Sequence, residues 1–408
     1  MDPALLARLT SGEGWGLLQS LPPYDESSAL ELAGRLRAAG FDAELVGAAL
    51  TQSRLRARAA RKFGDAAAQM FFTDDGLEQA TRTELARLHA ARFRDSGLRQ
   101  VFDLGCGIGA DARAFARSGL QVTAVDADEL TAAVAALNLR PWERATVRHE
   151  DAEAVPLPSR EVAPDAGVWM DPARRTPGVA DITGRTRRTF RLDELVPSWD
   201  FVQDTCARMP GAGVKLSPAF GHAQIPPGTQ AQWTSFDGEV LECVLWWGEL
   251  AWQPGRCAVV VNGRFAYEVH EDDALGAQSR TARLDRLHGF VYEADRAVIR
   301  AGLTGALIRR VDGSELDGGL GVVTSPRDVV VPWAKKYAVR DAMPFNVKAL
   351  RAWARDHDIG RLTIKKRGAS VDADQLRRQL RLGGSATGTI LLTRVGGAQA
   401  VLVLAPLP

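Results

Sequence analysis

"VFDLGCGIGADARAFARSGLQVTAVDAD", residues 101–128, decides the fold. The pattern predicts an apolar strand that runs into glycines, then a helix, then a second apolar strand that ends in acids. A strand, a glycine-rich turn and a helix in this order are typical of proteins that bind nucleotide-like ligands. The glycines alone do not choose among those ligands, so the flanking residues must.

The glycine spacing and the acid before it narrow the choice. Gly105, Gly107 and Gly109 form G-x-G-x-G instead of the G-x-G-x-x-G of dinucleotide folds. Between them, Cys106 is expected to fill a small slot. Two residues upstream of the loop lies Asp103, whose carboxylate is unfavourable beside a pyrophosphate but favourable beside a sulfonium cation or an ammonium group. The loop also lacks the G-K-[ST] ending that a triphosphate and magnesium require.

Acidic residues also end the next two strands. Asp126 follows Gly109 by seventeen residues, where a carboxylate can accept hydrogen bonds from both hydroxyls of an adenosine ribose. NAD enzymes share this feature. The third strand leads into Glu150, Asp151 and Ala152. An acid followed by a small residue suits the amino group and the flat ring of adenine.

Four segments, VFDLGCGIG, AVDAD, HEDA and MDPARR, together resemble motifs I to IV of class I S-adenosylmethionine methyltransferases. The resemblance implies an α/β fold with a Rossmann-like, doubly wound parallel sheet, and S-adenosylmethionine as cofactor. It also implies the cofactor-binding residues: Asp103, Gly105, Cys106, Gly107, Gly109, Asp126, Ala127, Asp151 and Ala152.

The segment MDPARR is similar to the D/N-P-P-aromatic motif of enzymes that methylate exocyclic amines of adenine or guanine. That resemblance implies that Asp171 and the carbonyl of Pro172 orient an amine toward the methyl group. The second proline of the motif is replaced by Ala173, and the stacking aromatic by Arg174. An arginine plane can stack on a base, pair with a phosphate or brace the loop. Base methylation is therefore not decided by this motif.

Length and composition set the broad class. With 408 residues, 46% of them hydrophobic and 25% charged, we expect a globular protein of two or three domains. No apolar run reaches membrane-spanning length and the start shows no signal pattern, so we expect a cytoplasmic protein without a membrane partner. Four cysteines lie far apart without a C-x-x-C pair, which argues against a metal site and a disulfide framework. The oligomeric state is not predicted.

Changes in periodicity suggest four segments. Residues 1–95 predict a helical domain, 96–265 the methyltransferase domain, 266–330 a connecting α+β region, and 331–408 a small α/β module. Within the connecting region, VYEADRAVIRAGLTGALIRR predicts a helix. The final strands of the methyltransferase domain lack a full helix between them, which permits an antiparallel edge.

A narrower resemblance covers most of the chain. The segments KFG, MFFTDDGLEQAT, DPARR, GVKLSP, EADRAVIRAGL, LTIKKRG and LRRQLRLGG are similar to bacterial class I methyltransferases with a C-terminal THUMP-like domain. THUMP domains bind tRNA in several modification enzymes, so the resemblance implies an RNA partner. It places Phe72, Thr73 and Gln79 in the wall of the site, although GLEQAT is equally an ordinary helix start. It also makes Lys365, Lys366 and Arg367 candidates for contacts with the RNA backbone.

The distribution of basic residues points the same way. Residues 335–381 hold thirteen Lys or Arg and five Asp or Glu, a local balance of +8 in a chain of net charge +1. Such asymmetry favours an anionic partner, although a well-solvated helical surface has the same composition. After the DPAR segment comes an arginine-rich loop, in which Arg175, Arg187 and Arg188 are candidate substrate contacts. Salt bridges to other segments are the alternative role for this loop.

The leading hypothesis is an S-adenosylmethionine-dependent methyltransferase that acts on a base nitrogen of RNA, in tRNA or rRNA. One alternative is methylation of a protein or a small molecule. Another is a non-catalytic RNA-binding protein that retains a cofactor site. The preserved acids and glycines of the first two motifs count against the non-catalytic alternative, while the altered fourth motif counts for it.

Overall fold

A computed structural model of the chain describes residues 1–174, 191–278 and 280–405. The chain forms two compact units. The first comprises Met1–Leu216 and Leu245–Trp252, and the second comprises Ser217–Val244 and Gln253–Pro408. The four segments that the sequence predicts divide the chain more finely than these two units, and their boundaries remain a prediction. No helix in the described ranges combines the length and the apolar character that a membrane crossing demands.

Helices make up the start of the first unit and flank its sheet. They are α1 Pro3–Leu9, α2 Gly12–Ser20, α3 Ala29–Ala38, α4 Ala43–Phe63, α5 Asp74–Gln79, α6 Thr83–Asp95, α7 Ala110–Arg117, α8 Glu129–Leu139 and α9 Trp199–Arg208. Several begin at a side-chain cap: Asp42 accepts a hydrogen bond from the Leu45 amide, and Thr73 accepts one from the Gly76 amide.

Most strands of the first unit build a parallel sheet, and two short strands form a separate antiparallel ribbon. The strands are β1 Gln100–Leu104, β2 Gln121–Asp126, β3 Ala145–His149, β4 Ala166–Met170, β5 Ala173–Arg174, β6 Leu195–Val196 and β7 Gly211–Leu216. The spatial order β3-β2-β1-β4-β7 is parallel at each pairing. Between β1 and β4 the strand order reverses, and ligands of such sheets bind outside the carboxyl ends of the strands at that point. The predicted Rossmann-like α/β fold is confirmed.

The N-terminal helices share a core with the methyltransferase segment. Leu6, Leu45, Leu55 and Phe72 of the helical part pack in one buried cluster with Ile108 of the glycine loop, and Val134 of α8 belongs to the same cluster. A buried side-chain amide fixes the chain in front of α5. The Asn138 side chain accepts from the amide of Phe71 and donates to the carbonyl of Ile108, at 2.8 and 2.9 Å. Residues 70–73 are thereby held against the glycine loop.

The second unit contains two sets of strands. Its elements are β8 Gln230–Phe236, β9 Glu239–Gly248 (of which residues from Leu245 onward belong to the first unit), β10 Gly255–Asn262, β11 Phe265–His270, α10 Glu271–Ala274, β12 Phe290–Ala294, α11 Arg296–Arg300, α12 Thr304–Val311, β13 Ser314–Glu315, β14 Val322–Ser325, β15 Ala334–Pro344, α13 Val347–Asp356, β16 Ile359–Lys366, α14 Ala373–Leu380, β17 Ala386–Val395 and β18 Ala398–Ala405. Strand β10 is parallel to β8 and antiparallel to β11.

The C-terminal sheet has the order β13-β14-β12-β15-β18-β17-β16. Here the structure corrects one prediction: residues 290–294 form β12, which pairs with β14 and β15, although the predicted helix VYEADRAVIRAGLTGALIRR begins at residue 291. The helical pattern begins only at Asp295, which caps α11 by accepting from the amide of Ala297. Pairing with two neighbours decides the state of these five residues, because a short apolar run fits either period.

Candidate active site

The glycine loop has the backbone that its sequence requires. Gly105, Gly107 and Gly109 all have positive φ, at 82°, 55° and 81°. The amides of Gly105 and Cys106 both donate to the carbonyl of Val125, at 3.0 and 2.9 Å, which ties the loop to the end of β2. A Cβ added at Gly107 would meet no atom within 4 Å, so the loop has open space on that side. The buried Cys106 side chain lines the loop from within, as expected.

Asp126 links this loop to the end of β2. One carboxylate oxygen accepts from the Gly107 amide at 2.9 Å, and the other accepts from the Asp128 amide at 3.0 Å. Partial burial raises the pKa of Asp126 above its ordinary value, although these two backbone donors oppose the rise. Each oxygen retains a lone pair, so the carboxylate can still accept hydrogen bonds from ligand hydroxyls.

The loops after β2 and β3 lie side by side. The Glu150 amide donates to the carbonyl of Asp126 at 3.1 Å, which brings the second and third motifs together. Asp151 is exposed and accepts from the Glu153 amide at 2.9 Å, so it starts the short turn that begins at Ala152. The preceding motif residue, Ala127, is exposed. These positions agree with an open edge along which an adenosine can lie.

Asp103 is the most unusual carboxylate of the site. It is 1% exposed, and its Oδ2 atom has no hydrogen-bond partner among the described residues. Burial raises the pKa of Asp103 well above its ordinary value, and the negative charges of Asp111 and Asp171 raise it further. A buried acceptor without a donor is costly and calls for a partner. A cationic ligand group satisfies that need, so the residues present fit the positively charged S-adenosylmethionine.

The fourth motif lies next to the first. An added Cβ at Gly105 would lie 3.6 Å from the carbonyl oxygen of Asp171, which directly follows β4 together with Pro172. The Asp171 side chain is 35% exposed and forms an ion pair with Lys215, whose side chain is 15% exposed. Lys215 lies on β7, the parallel neighbour of β4. The predicted amine-orienting carboxylate therefore has a fixed cationic partner.

Lys215 belongs to a longer polar network. Its Nζ atom donates to the Thr81 hydroxyl at 3.0 Å, and Thr81 in turn bonds to Asp111 of α7. Asp111 is 2.8 Å from Nδ1 of His89, and both side chains are buried. Burial opposes ionisation of Asp111, but the hydrogen bonds from His89 and Thr81 and the positive charges of His89 and Lys215 together outweigh it and lower the pKa of Asp111. The network connects the floor of the site to the helical part of the unit.

Sequence reasoning assigned no role to Lys215, Asp111 or His89. The segment GVKLSP was noted only as part of a resemblance. A polar residue at the carboxyl end of a buried parallel strand was the available signal, because such ends line the ligand crevice. His89 carried no signal, since a single histidine in a helix gives no indication that it faces an aspartate 22 positions later.

The residues predicted to line the wall of the site differ in their burial and contacts. Phe72 is completely buried, with its ring 5.6 Å from that of Phe63, so it packs in the core, and a place in the wall of the site stays a prediction. Thr73 caps α5, and Gln79 is exposed at the end of that helix. Lys62 donates to the carbonyls of Leu77, Glu78 and Ala80, which fixes the end of α5. Burial lowers the pKa of Lys62 to about 8.

Each of the three predicted RNA-contact residues of the second unit contacts another residue of that unit. The ammonium of Lys365 lies 4.8 Å from the ring centroid of Tyr337, and that of Lys366 donates to the carbonyl of Val371 at 2.9 Å. Arg367 forms an ion pair with Glu293 of β12 at 2.7 Å. Arg175, Arg187 and Arg188 lie outside the described residues. The backbone of Arg174 pairs with Leu195 in the antiparallel ribbon of β5 and β6.

Comparison with known proteins gives matches over both units. Residues 101–164 match a methyltransferase domain family, residues 334–406 match a THUMP domain-like family, and residues 2–59 match a domain of unknown function. Two relatives, from two strains of Mycobacterium tuberculosis, are each 29% identical over 358 residues, covering 84% of this chain and 91% of their own. Both are named as uncharacterized S-adenosylmethionine-dependent methyltransferases.

A solved structure has the same fold over nearly the whole chain. It comes from Porphyromonas gingivalis and is described as that of a candidate methyltransferase. Its TM-score is 0.71 at 18% identity, and the match covers 94% of this chain and 99% of that one. This likeness shows the shared fold. The methyltransferase match over residues 101–164, the THUMP domain-like match over residues 334–406 and the two relatives support an S-adenosylmethionine-dependent methyltransferase with a C-terminal THUMP-like domain.

Proposed function

We propose that this methyltransferase acts on a base nitrogen of RNA, in tRNA or rRNA. The observation that carries the proposal is the position of Asp171, which follows β4 directly and whose carbonyl lies beside the glycine loop. The Asp171 side chain is partly exposed, so an incoming amine can reach it. The THUMP domain-like match over 334–406 and the basic balance of 335–381 support a nucleic-acid substrate.

Correct positioning of the acceptor nitrogen and the methyl group supplies much of the rate enhancement. Bound S-adenosylmethionine supplies an electrophilic methyl group with a good leaving group, so no strong general base is required. The carboxylate of Asp171 and the carbonyl of Pro172 accept hydrogen bonds from the N–H groups of the acceptor, which orients its nitrogen. The Asp103 carboxylate attracts the positive charge of the cofactor, and Asp126 accepts from its ribose hydroxyls.

Lys215 is a positioning residue in this scheme. Its ion pair with Asp171 and its hydrogen bond to Thr81 hold the carboxylate in one orientation. The ammonium also offsets part of the negative charge that Asp103, Asp111 and Asp171 place in one region. Without Lys215, Asp171 has more rotamers available and the accepting nitrogen is held less firmly.

The test is an incubation of the purified enzyme with tritiated S-adenosylmethionine and RNA, protein or small-metabolite fractions from a strain lacking the gene. Asp171→Ala is the test variant. Asp204→Asn is the matched control, because Asp204 is an exposed aspartate of the same unit that pairs only with the exposed Arg208 among its described contacts. Cofactor affinity of all three proteins is measured separately by calorimetry.

We expect label in small RNA for the wild type and for Asp204→Asn. For Asp171→Ala we expect at least a 100-fold loss of transfer, with cofactor affinity within a few-fold of wild type. Label in the protein or metabolite fraction would replace the RNA assignment by the alternative substrate class. Unchanged transfer by Asp171→Ala would remove Asp171 from the role given to it.

A further inference from the structure

The hairpin of β10 and β11 brings three potential metal ligands to one face. Cys257 of β10 is the direct cross-strand partner of His270 of β11. Glu268 precedes His270 by two residues, and side chains two apart on a strand share a face. The three side chains therefore lie together although the sequence separates Cys257 from His270 by thirteen positions.

The ligand atoms are close enough to meet one ion. The Cys257 sulfur, one nitrogen of His270 and one carboxylate oxygen of Glu268 all lie within 4.8 Å of one another. Nε2 of His270 is 3.1 Å from Oε2 of Glu268. Ligand atoms around a tetrahedral zinc ion are about 3.3 to 3.8 Å apart, given bonds of about 2.0 to 2.3 Å. Small side-chain rotations would bring the three atoms to such distances.

Burial and polarity distinguish this cluster from an ordinary surface ion pair. Cys257 is 1% exposed, and the buried side of the His270 ring has the Cys257 thiol as its neighbour. A surface pair between His270 and Glu268 explains neither of these facts. The Cys257 thiol, the His270 ring and the Glu268 carboxylate lie close enough together for one cation to bind all three groups.

We propose that Cys257, Glu268 and His270 form a binding site for a divalent transition metal of the zinc type. Thiolate and imidazole are ligands that zinc and cobalt prefer, whereas magnesium and calcium prefer oxygen alone. Three protein ligands leave a fourth position for water or another group. On binding, the Cys257 thiol loses its proton to solvent and the sulfur becomes a metal ligand. In the described residues no other cluster of histidine, cysteine and acidic side chains meets this distance criterion.

The site would clamp the hairpin β10–β11. Ligands on two antiparallel strands fix the strands to each other, and an ion that binds the folded state alone stabilises it by mass action. The bound metal is therefore expected to raise the melting temperature of the protein without taking part in methyl transfer.

Cobalt is the probe, because a thiolate bound to Co²⁺ gives a charge-transfer absorption that water or carboxylate ligands do not give. The full-length, chelator-treated protein is titrated with Co²⁺ and then with Zn²⁺. The test variants are Cys257→Ser, His270→Gln and Glu268→Gln. Cys206→Ser is the matched control, because Cys206 is equally buried on α9 and belongs to no cluster of this kind.

We expect one Co²⁺ per wild-type chain, a charge-transfer band, and loss of the band when Zn²⁺ is added. Cys257→Ser should lose the band, and His270→Gln and Glu268→Gln should weaken Co²⁺ binding by about tenfold or more. Cys206→Ser should behave as wild type. Absence of the band in folded wild type, or a band that survives in Cys257→Ser, would overturn the proposal. If Cys257→Ser fails to fold, Glu268→Gln decides, since the Glu268 side chain is half exposed and unchanged binding there would also overturn it.

Discussion

The glycine-loop site and the basic segment 335–381 hold their charges in different ways. Beneath the loop, Asp103 and Asp111 are buried, and one oxygen of Asp103 has no partner in the described residues. In the basic segment, Lys366 and Arg367 contact a carbonyl or a carboxylate of their own unit. Burial of a charged group, more than the number of charges, therefore marks where a ligand is required. Four predictions test it, in order of falling effect.

The substitution Asp103→Asn tests the role of the buried carboxylate beneath the glycine loop. The substitution keeps the shape and removes the charge, so affinity for S-adenosylmethionine should fall by about 100-fold or more, since losing one partner of a buried charge pair costs about 2 to 5 kcal/mol. The ligand-free protein should be no less stable than wild type at neutral pH, because burial disfavours the ionised Asp103. Calorimetric titration and thermal melting measure both effects. Equal cofactor affinity in Asp103→Asn and in the Asp204→Asn control would contradict the claim that the buried Asp103 recognises the cofactor.

Lys215→Met separates positioning from cofactor binding. Turnover should fall by about 10- to 100-fold, because an acceptor site misplaced by about 1 Å costs that much. At a pH where Asp103 is ionised in both proteins, cofactor affinity should hold within a few-fold, since removing a cation does not weaken the binding of a positively charged ligand. Single-turnover rates and calorimetry give the two numbers, and Lys215→Arg should recover part of the rate. A loss of affinity with an unchanged single-turnover rate would contradict the role given to Lys215.

A change of pH should alter cofactor affinity by less than the substitution Asp103→Asn does. Ionised Asp103 attracts the cation and protonated Asp103 does not, and burial raises the pKa of Asp103. Affinity should therefore decline as the pH falls through that raised pKa, by up to about tenfold per pH unit. Lys215 lowers the pKa of Asp103, so Lys215→Met should move the decline to higher pH. Titrations over a pH series check this, with Asp103→Asn expected to lack the decline.

Substitutions in the basic segment 335–381 should have the smallest effects on binding and stability. Changing Lys365 and Lys366 together to Gln should weaken RNA binding by roughly tenfold and reduce its salt dependence by about one logarithmic unit per lost phosphate contact. Arg367→Gln should cost up to about 1 kcal/mol of stability through its ion pair with Glu293, and little RNA affinity. Filter binding at several salt concentrations and thermal melting separate the two. A larger loss of RNA affinity in Arg367→Gln than in the lysine pair would reverse the assignment.

The sequence predicted the parts of the site that depend on local pattern. The alternation of strands and helices located β1, β2 and β4, and the acids at strand ends located Asp103 and Asp126, because these features follow from neighbouring residues. The pair of Asp171 and Lys215 was not predicted, since 44 positions separate them and they meet only when β4 and β7 pair. The burial of Phe72 was not predictable from neighbouring residues either, because Ile108 and Val134, which lie far along the chain, belong to the same cluster.

Cysteine spacing gave no indication of the cluster proposed above, for a related reason. The absence of a C-x-x-C pair argued against a metal site, but spacing rules see only ligands that are close in sequence. The register of β10 and β11 places Cys257 opposite His270, which no count of residues reveals. Whether metal binds there is independent of the cofactor site, so the two proposals can succeed or fail separately.

The most direct test of the central claim is a crystal structure of the enzyme with S-adenosylhomocysteine, the product that retains the ammonium and ribose groups. We expect the ligand along the glycine loop, with its ammonium group within hydrogen-bonding distance of Asp103 Oδ2, which has no partner among the described residues, and with its ribose hydroxyls on Asp126. A ligand bound elsewhere, or bound at the loop with Asp103 Oδ2 still without a partner, would contradict the claim that this buried carboxylate recognises the cofactor.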